Sequence, residues 1–432
     1  MGKTPIYQIK EYGSFITGKK HDAFVTLPES TFQQLEGFIL SKRGKDTDAL
    51  ELMGLSARKG IGKVITAKNY VGVIALNNRA IIEILPKIHS DTEDGASGNR
   101  IKQILLVMMK ALRKYPFKSL QASNMDIVKM NILEIFIRMF VDEVHFIVKR
   151  GLKRGYETME ENAACYKGKM KFHQQIKLNQ THKEKCFVEY DNYAANRPEN
   201  QLLKATLLYL YKFSCSSKNK NDIKILLNVF SDVEPSLNHE KDFAKYIPNR
   251  NMRDYSNALH WSRIFLKGKS FSAFAGSEAA LALLFPMETL FENYISVLIK
   301  NSLNLMDFSV SAQDKSHYLF DDPAKGFLLK PDIVVKRKCD GALFVVDTKW
   351  KILSDNKANH GISQADIYQM YVYHKRYGAK NAIVIYPQTD KLPSFGIKEF
   401  KSADGVTVQV RFVDLFDIQS SISDLTDMFS KI

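Results

Sequence analysis

The sequence predicts a mixed α/β chain, with a β-rich and helical N-terminal region followed by a C-terminal α/β domain. Three observations carry this. Short runs rich in valine and isoleucine crowd the stretch before residue 90. Apolar residues recur at helical spacing through the middle. Residues 332–386 then read as strand, turn, strand, helix, strand. A chain of 432 residues exceeds one ordinary core. We place the divisions at 1–115 (β-rich), 116–270 (helical) and 271–432 (α/β).

Residues 63–68, 70–76 and 80–85 are the N-terminal strands. Asn77-Asn78 suits a hairpin turn between two of them, because asparagine tolerates the positive φ such turns need. Pro86 ends the last strand, and residues 90–99 form a polar loop. Residues 101–112 and 125–150 read as helices, and Gly151 suits a left-handed cap on the second. Its apolar stretch, 132–148, is broken by Glu134, Arg138, Asp142, Glu143 and His145, which marks an amphipathic helix and not a membrane span. Pro198 opens another helix, 198–213. The polar, lysine-rich residues 216–222 read as a surface loop, and 267–276 as the break before the last domain. There is no repeat of solenoid length.

Hydrophobic residues at 45% and charged residues at 25% exclude a fibrous or wholly disordered design. The net charge of +15 predicts a polyanionic partner, of which nucleic acid is the commonest. Residues 149–177 interleave cations with Tyr156, Tyr166 and Phe172. They either touch phosphates and bases or form a solvated face with packed aromatics. Cys165, Cys186, Cys215 and Cys339 form no C-x-x-C pair and no zinc spacing. With no signal pattern, this fits a reduced, cytoplasmic setting away from membranes. Gly60-Ile61-Gly62-Lys63 is followed by Val64, so no phosphate-binding G-x-x-x-x-G-K-[ST] is present and no nucleotide is expected to bind this chain itself.

The chemistry concentrates after Pro331. With Asp340 and Gly341 as the two central turn residues, Asp332 falls opposite Lys349 and Val334 opposite Asp347. Alternation then puts Asp332, Asp347 and Lys349 on one face, with the aspartates diagonal neighbours about 7 to 8 Å apart at the backbone. Two carboxylates so placed can hold one hard cation, to which the Thr348 carbonyl adds a further oxygen. A held Mg²⁺ (or Mn²⁺) acidifies water and screens phosphate charge, as phosphodiester hydrolysis requires, and a neighbouring lysine stabilises the charge that develops. The alternative is a surface salt bridge on a two-faced sheet. Ser363 caps the next helix, on which Asp366, Gln369 and Tyr373 share a face. Upstream, a helix over 286–303 carries Glu288 and Glu292 among apolar residues, and a metal would give such a carboxylate a partner.

Pro331-Asp332, Asp347-Thr348-Lys349 and the Gln369/Tyr373 pair resemble the PD-(D/E)xK nuclease superfamily in its RecB-like branch. Asp347-Thr348-Lys349-Trp350-Lys351, Leu290-Phe291-Glu292, the Glu83–Ile88 run, Arg150-Gly151-Leu152, Lys167-Gly168-Lys169 and Asn200 extend the resemblance to the McrC family, nuclease subunits of McrBC-type modification-dependent restriction systems. The resemblance implies a restriction-endonuclease-like C-terminal domain with Asp332, Asp347 and Glu292 as metal ligands. It implies Lys349 as the catalytic lysine, Gln369 and Tyr373 beside it, and Lys330 and Lys351 toward DNA. It also implies docking on, and stimulating, a separate AAA+ GTPase of McrB type, which reads modified cytosine in double-stranded foreign DNA. The rivals are a stand-alone restriction or repair nuclease, and an inactive adaptor that stimulates a GTPase.

Overall fold

A computed structural model describes residues 4–40, 52–88, 95–112, 130–247, 250–267, 279–354, 358–388 and 398–431. The architecture is mixed α/β. The chain clusters into two compact units, one made of Met1–Asn131 with Gly276–Ile432 and the other of Ile132–Ala275. Among the described residues no helix is long and apolar enough to cross a membrane.

The first unit opens with β1 (Ile6–Lys10), β2 (Ser14–Ile16), β3 (Val25–Thr26), α1 (Glu29–Leu40), β4 (Met53–Arg58), β5 (Gly62–Ala67), β6 (Tyr70–Leu76), β7 (Ile81–Leu85) and α2 (Gly95–Lys110). The predicted strands are present. The β6–β7 turn departs from expectation, because positive φ falls on Arg79 (φ 68°) and on neither asparagine. Asn78 works through its side chain instead, with Oδ1 accepting from Ala80 N at 3.0 Å. Helix α2 begins within the stretch predicted as loop, at Gly95.

The second unit holds α3 (Ile132–Arg150), β8 (Gly155–Ala163), β9 (Lys169–Met170), α4 (Phe172–Leu178), β10 (Cys186–Ala194), α5 (Pro198–Phe213), α6 (Ser217–Val229), α7 (His239–Lys245) and α8 (Ser256–Lys267). Its core is aromatic, with Trp261 stacked on Phe265 at 5.5 Å and 5.8 Å from Phe136. Helix α3 starts later than predicted: Met130 and Asn131 are not helical, and residues 125–129 lie outside the described residues, as does most of 267–276. Gly151 takes the expected left-handed cap, φ 85°. The predicted loop at 216–222 is instead the start of α6. Ser216 caps it by accepting from Asn219 N at 3.3 Å. Buried Glu134 completes the cap, accepting from Ser216 N at 3.0 Å, Ser214 Oγ at 2.9 Å and Asn219 Nδ2 at 2.7 Å. The lysines that suggested a loop share a helix that buries Asn219, Ile223 and Leu226. The three aromatics flagged at 149–177 all stand exposed, and Tyr156 leans on Tyr193 with ring centroids 5.1 Å apart.

The chain then returns to the first unit with β11 (Ala279–Pro286), α9 (Met287–Ser302), β12 (Phe308–Ala312), β13 (Tyr318–Phe320), β14 (Gly326–Leu328), β15 (Ile333–Arg337), β16 (Leu343–Thr348), α10 (Gln364–Tyr377), β17 (Asn381–Pro387), β18 (Lys398–Lys401), β19 (Thr407–Val413) and α11 (Ile418–Lys431). Strand β11 is not part of the C-terminal sheet. It closes the N-terminal sheet β1-β7-β6-β11, antiparallel to β6. The two strands meet closely at Gly72 (φ 138°), where an added Cβ would stand 2.1 Å from Leu283 O. Helix α9 leaves directly from β11, and Met287 N donates to Asn69 O at 2.9 Å.

The C-terminal sheet runs β12-β15-β16-β17-β19-β18, with β16, β17 and β19 parallel. Every residue of β17 is buried, as a central parallel strand covered on both faces requires. Helix α10 packs on one face through Met370, Tyr373 and Tyr377 against Val345 and Val384. On the other, Phe344 meets Phe429 of α11 at 5.1 Å.

Candidate active site

The β15–β16 hairpin differs in register from the two-residue turn predicted at Asp340-Gly341. Val334 faces Val345 and Ile333 faces Val346. Arg337 N bonds Ala342 O at 2.9 Å, so residues 338–341 form the loop. The Arg337 guanidinium explains the wider turn, because it donates to Asp340 Oδ1 at 2.9 Å and Oδ2 at 2.6 Å. The slip is an even number of residues, so every side chain keeps its predicted face. Its effect is to bring Asp332, just before β15, level with Asp347 and not diagonal to it.

Asp347 is 1% exposed, on the face that α10 covers and near the carboxyl end of β16. Ligands gather at the carboxyl ends of parallel strands because the backbone there opens into the crevice that the next helix leaves. Lys349 continues β16 and places Nζ 2.6 Å from Asp347 Oδ2 and 2.9 Å from Gln369 Oε1. Gln369 Nε2 donates onward to Tyr373 OH at 2.8 Å. Asp332 Oδ2 accepts from Thr348 N and Thr348 Oγ1, both at 2.7 Å, which leaves Oδ1 for another partner. The structure thus brings Asp332, Asp347, Lys349, Gln369 and Tyr373 together.

Of the two glutamates left open by the sequence, Glu292 lies toward this cluster, where Asp332 and Lys349 both bear on its charge. Glu288 is exposed on α9 and bears instead on Glu11. Gln313, which nothing in the sequence singled out, ties the pieces together. Its amide donates to Asp332 O at 2.7 Å and its Nε2 to Glu292 Oε1 at 2.7 Å, from a left-handed backbone (φ 49°). Ser363 sits at the N-cap of α10 but its side chain makes no capping bond. Asp366 is committed elsewhere: it accepts from Lys351 Nζ at 2.7 Å and from Tyr386 OH at 2.9 Å. Lys351 is therefore paired while Lys330 is exposed.

The electrostatics are those of too much negative charge in too little water. Burial, then the charge of Asp332, pushes Glu292 up to about 7. Burial likewise raises Asp332 and Asp347, and the charge of Asp332 raises Asp347 further. Burial disfavours the Lys349 ammonium, yet the attractions of Asp347, Asp332 and Asp366 together outweigh it and the net shift is upward. Among the described residues no three acidic, histidine or cysteine groups stand close enough to enclose an ion as they are. The donor chemistry nevertheless fits a hard divalent cation: a buried carboxylate beside a half-buried one, with a third oriented by Gln313, needs positive charge beyond one ammonium.

A pH dependence follows. These carboxyls hold protons in the folded chain that the unfolded chain releases near pH 4 to 4.5, about the ordinary carboxyl range. The folded state is therefore favoured below that range, and the advantage is lost as pH rises through about 7, the value reached by Glu292. In EDTA, Tm should fall by about 5 °C or more between about pH 5 and 8, and saturating Mg²⁺ should restore most of it. A Tm that climbs over this interval, or ignores Mg²⁺, would contradict the electrostatics described.

Residues 65–387 match the family described as McrBC 5-methylcytosine restriction system component. No curated protein sequence matches the chain. Among solved structures, a chain of the tetradecameric assembly of Thermococcus gammatolerans McrB AAA+ hexamers with bound McrC superposes at a TM-score of 0.68. The two are 18% identical, and the match covers 97% of this chain and 100% of that one. This likeness is one of fold. A chain from the cryo-EM structure of the Thermococcus gammatolerans McrBC complex gives 0.48 at 17% identity, covering 69% and 88%.

Proposed function

Because this chain belongs to the family of McrBC 5-methylcytosine restriction system components, we propose that it is the cutting subunit of such a system. It is a Mg²⁺-dependent endodeoxyribonuclease that docks on an AAA+ GTPase of McrB type and cleaves foreign DNA carrying modified cytosine. The C-terminal sheet with α10 is its PD-(D/E)xK domain. The observation that carries the proposal is the convergence of Asp332, Asp347 and Lys349 at one end of β16, with Gln369 behind the lysine.

Asp332, Asp347, Glu292 and the Thr348 carbonyl would hold the ion, which when bound supplies an acidified water and screens phosphate charge. Lys349 keeps its proton because Asp347 stabilises the ammonium, so it donates to the charge that builds on the phosphate oxygens. Gln369 and Tyr373 fix the direction of that ammonium through Gln369 Oε1. Thr348 holds Asp332 by two donors, which keeps its remaining oxygen aimed. Lys330 contacts the DNA backbone beside the site. Lys351 reaches DNA only from its pairing with Asp366.

The test is reconstitution. On plasmid carrying 5-methylcytosine, the purified chain with Mg²⁺ should cut little, and addition of its McrB-type partner with GTP should raise cutting at least about a hundredfold, the scale of a conformationally gated enzyme. Full cutting without partner or GTP would establish a stand-alone nuclease. GTPase stimulation without cutting under any condition would establish an adaptor.

A further inference from the structure

The N-terminal segment reaches the candidate centre through one buried carboxylate. Glu11 directly follows β1 and is 1% exposed. Its amide donates to Leu85 O at 2.9 Å, anchoring it to β7. Its Oε2 accepts twice, from Lys87 N at 3.1 Å and from the indole Nε1 of Trp350 at 3.0 Å. Oε1 is buried with no hydrogen-bond partner.

The backbone that follows is tightly set. Tyr12 is left-handed at φ 62°, and a Cβ on Gly13 would lie 2.8 Å from Lys10 O. Glu11 is thus held on a fixed turn, not a loose loop. Trp350 immediately follows Lys349, and its ring leans on Phe291 at 5.2 Å. Phe291 immediately precedes Glu292. One indole therefore braces the neighbours of both Lys349 and Glu292.

We propose that Glu11 is a positioning residue for the candidate catalytic centre: by fixing the Trp350 indole it sets the exit of β16 at Lys349 and the face of α9 that presents Glu292. This rests on the cutting function proposed above. Both hydrogen-bond donors to Glu11 are neutral groups, and they bear on it more than the Lys87 charge does, so what it chiefly supplies is an acceptor at a fixed point. Burial pushes Glu11 up to about 7, while the Lys87 amide and the Trp350 indole hold it down. An amide, which keeps the oxygen and loses the charge, is then the faithful replacement. A merely structural Glu11 would affect folding and leave the turnover of folded molecules alone.

Three variants of the full chain test this: Glu11→Gln, Glu11→Leu and Trp350→Phe. Labelled with 5-fluorotryptophan, the protein gives two fluorine resonances, because the sequence has two tryptophans. The resonance missing from Trp350→Phe reports the indole in question. It should shift in Glu11→Leu and hold its place in Glu11→Gln. With partner and GTP, Glu11→Leu should lower kcat for cutting about tenfold, as loss of an outer orienting group does. The KM for DNA should stay unchanged, and Glu11→Gln should restore kcat. Combining Glu11→Leu with Trp350→Phe should add nothing to the larger single effect.

An unmoved resonance in Glu11→Leu, a normal kcat in that variant, or additive effects would each overturn the proposal while wild-type protein still cuts. Wild-type complex that cuts no DNA would instead sink the cutting function, and the role of Glu11 with it.

Discussion

Replacing Asp347 with asparagine should lower DNA cleavage by about a thousandfold or more, the scale on which loss of one preorganised electrostatic stabiliser shows. The side chain keeps its shape, so the expected loss comes from charge alone. Asp347 offers the carboxylate beside Asp332 and is also the ion partner of Lys349 at 2.6 Å. Removing it should weaken the proposed ion binding and free the ammonium to swing toward Gln369 alone. The same substitution should make the protein more stable in EDTA at pH 8, about where both aspartates are ionised in the wild type. It removes a buried charge that the neighbouring Asp332 opposes. Partner GTPase stimulation should survive. Cleavage within about tenfold of wild type, measured on methylated plasmid with partner and GTP, would count decisively against Asp347 as a ligand.

The second large effect lies outside the candidate site. Gly72→Ala should cost about 3 kcal/mol or more and lower Tm by about 6 °C or more, among the larger single-site effects. Two causes act together. The φ of 138° is one that side-chain-bearing residues rarely adopt, and the new Cβ would overlap Leu283 O. Relief requires β6 and β11 to separate. Because α9 starts at the end of β11, the strain should also reach Glu292. Thermal unfolding of the variant checks the first expectation, and its Mg²⁺-dependent rise in Tm, expected to be smaller than in wild type, checks the second. A variant as stable as wild type would show that the strands part without loss.

Much of the site was legible in the sequence because its signals are local. Asp347 and Lys349 share a strand face by simple alternation. Asp366, Gln369 and Tyr373 share a helix face by their spacing. The faces survived even though the hairpin register did not, since an even slip leaves alternation intact. What the sequence hid depends on long-range partners. The width of the β15–β16 turn is set by Arg337 gripping Asp340. Helix α6 was hidden by its lysines, and the acceptor that completes its cap, Glu134, lies about 80 positions earlier. Gln313 and Glu11 carry no motif at all. Each matters only through groups brought to it by the fold, at Glu292 and Trp350. Nor does any local pattern reveal that β11, an ordinary apolar run, completes a sheet begun more than 200 positions before it.

That borrowed edge strand limits how such proteins can be rebuilt. A chimaera that grafts a relative's C-terminal region from residue 279 onward would bring a foreign strand against β6, and with it a new neighbour for Gly72. Exchanges that respect the pairing must move β6 and β11 as a matched set. Recombination between relatives should therefore tolerate crossovers inside Ile132–Ala275 only when both flanking segments descend from one parent.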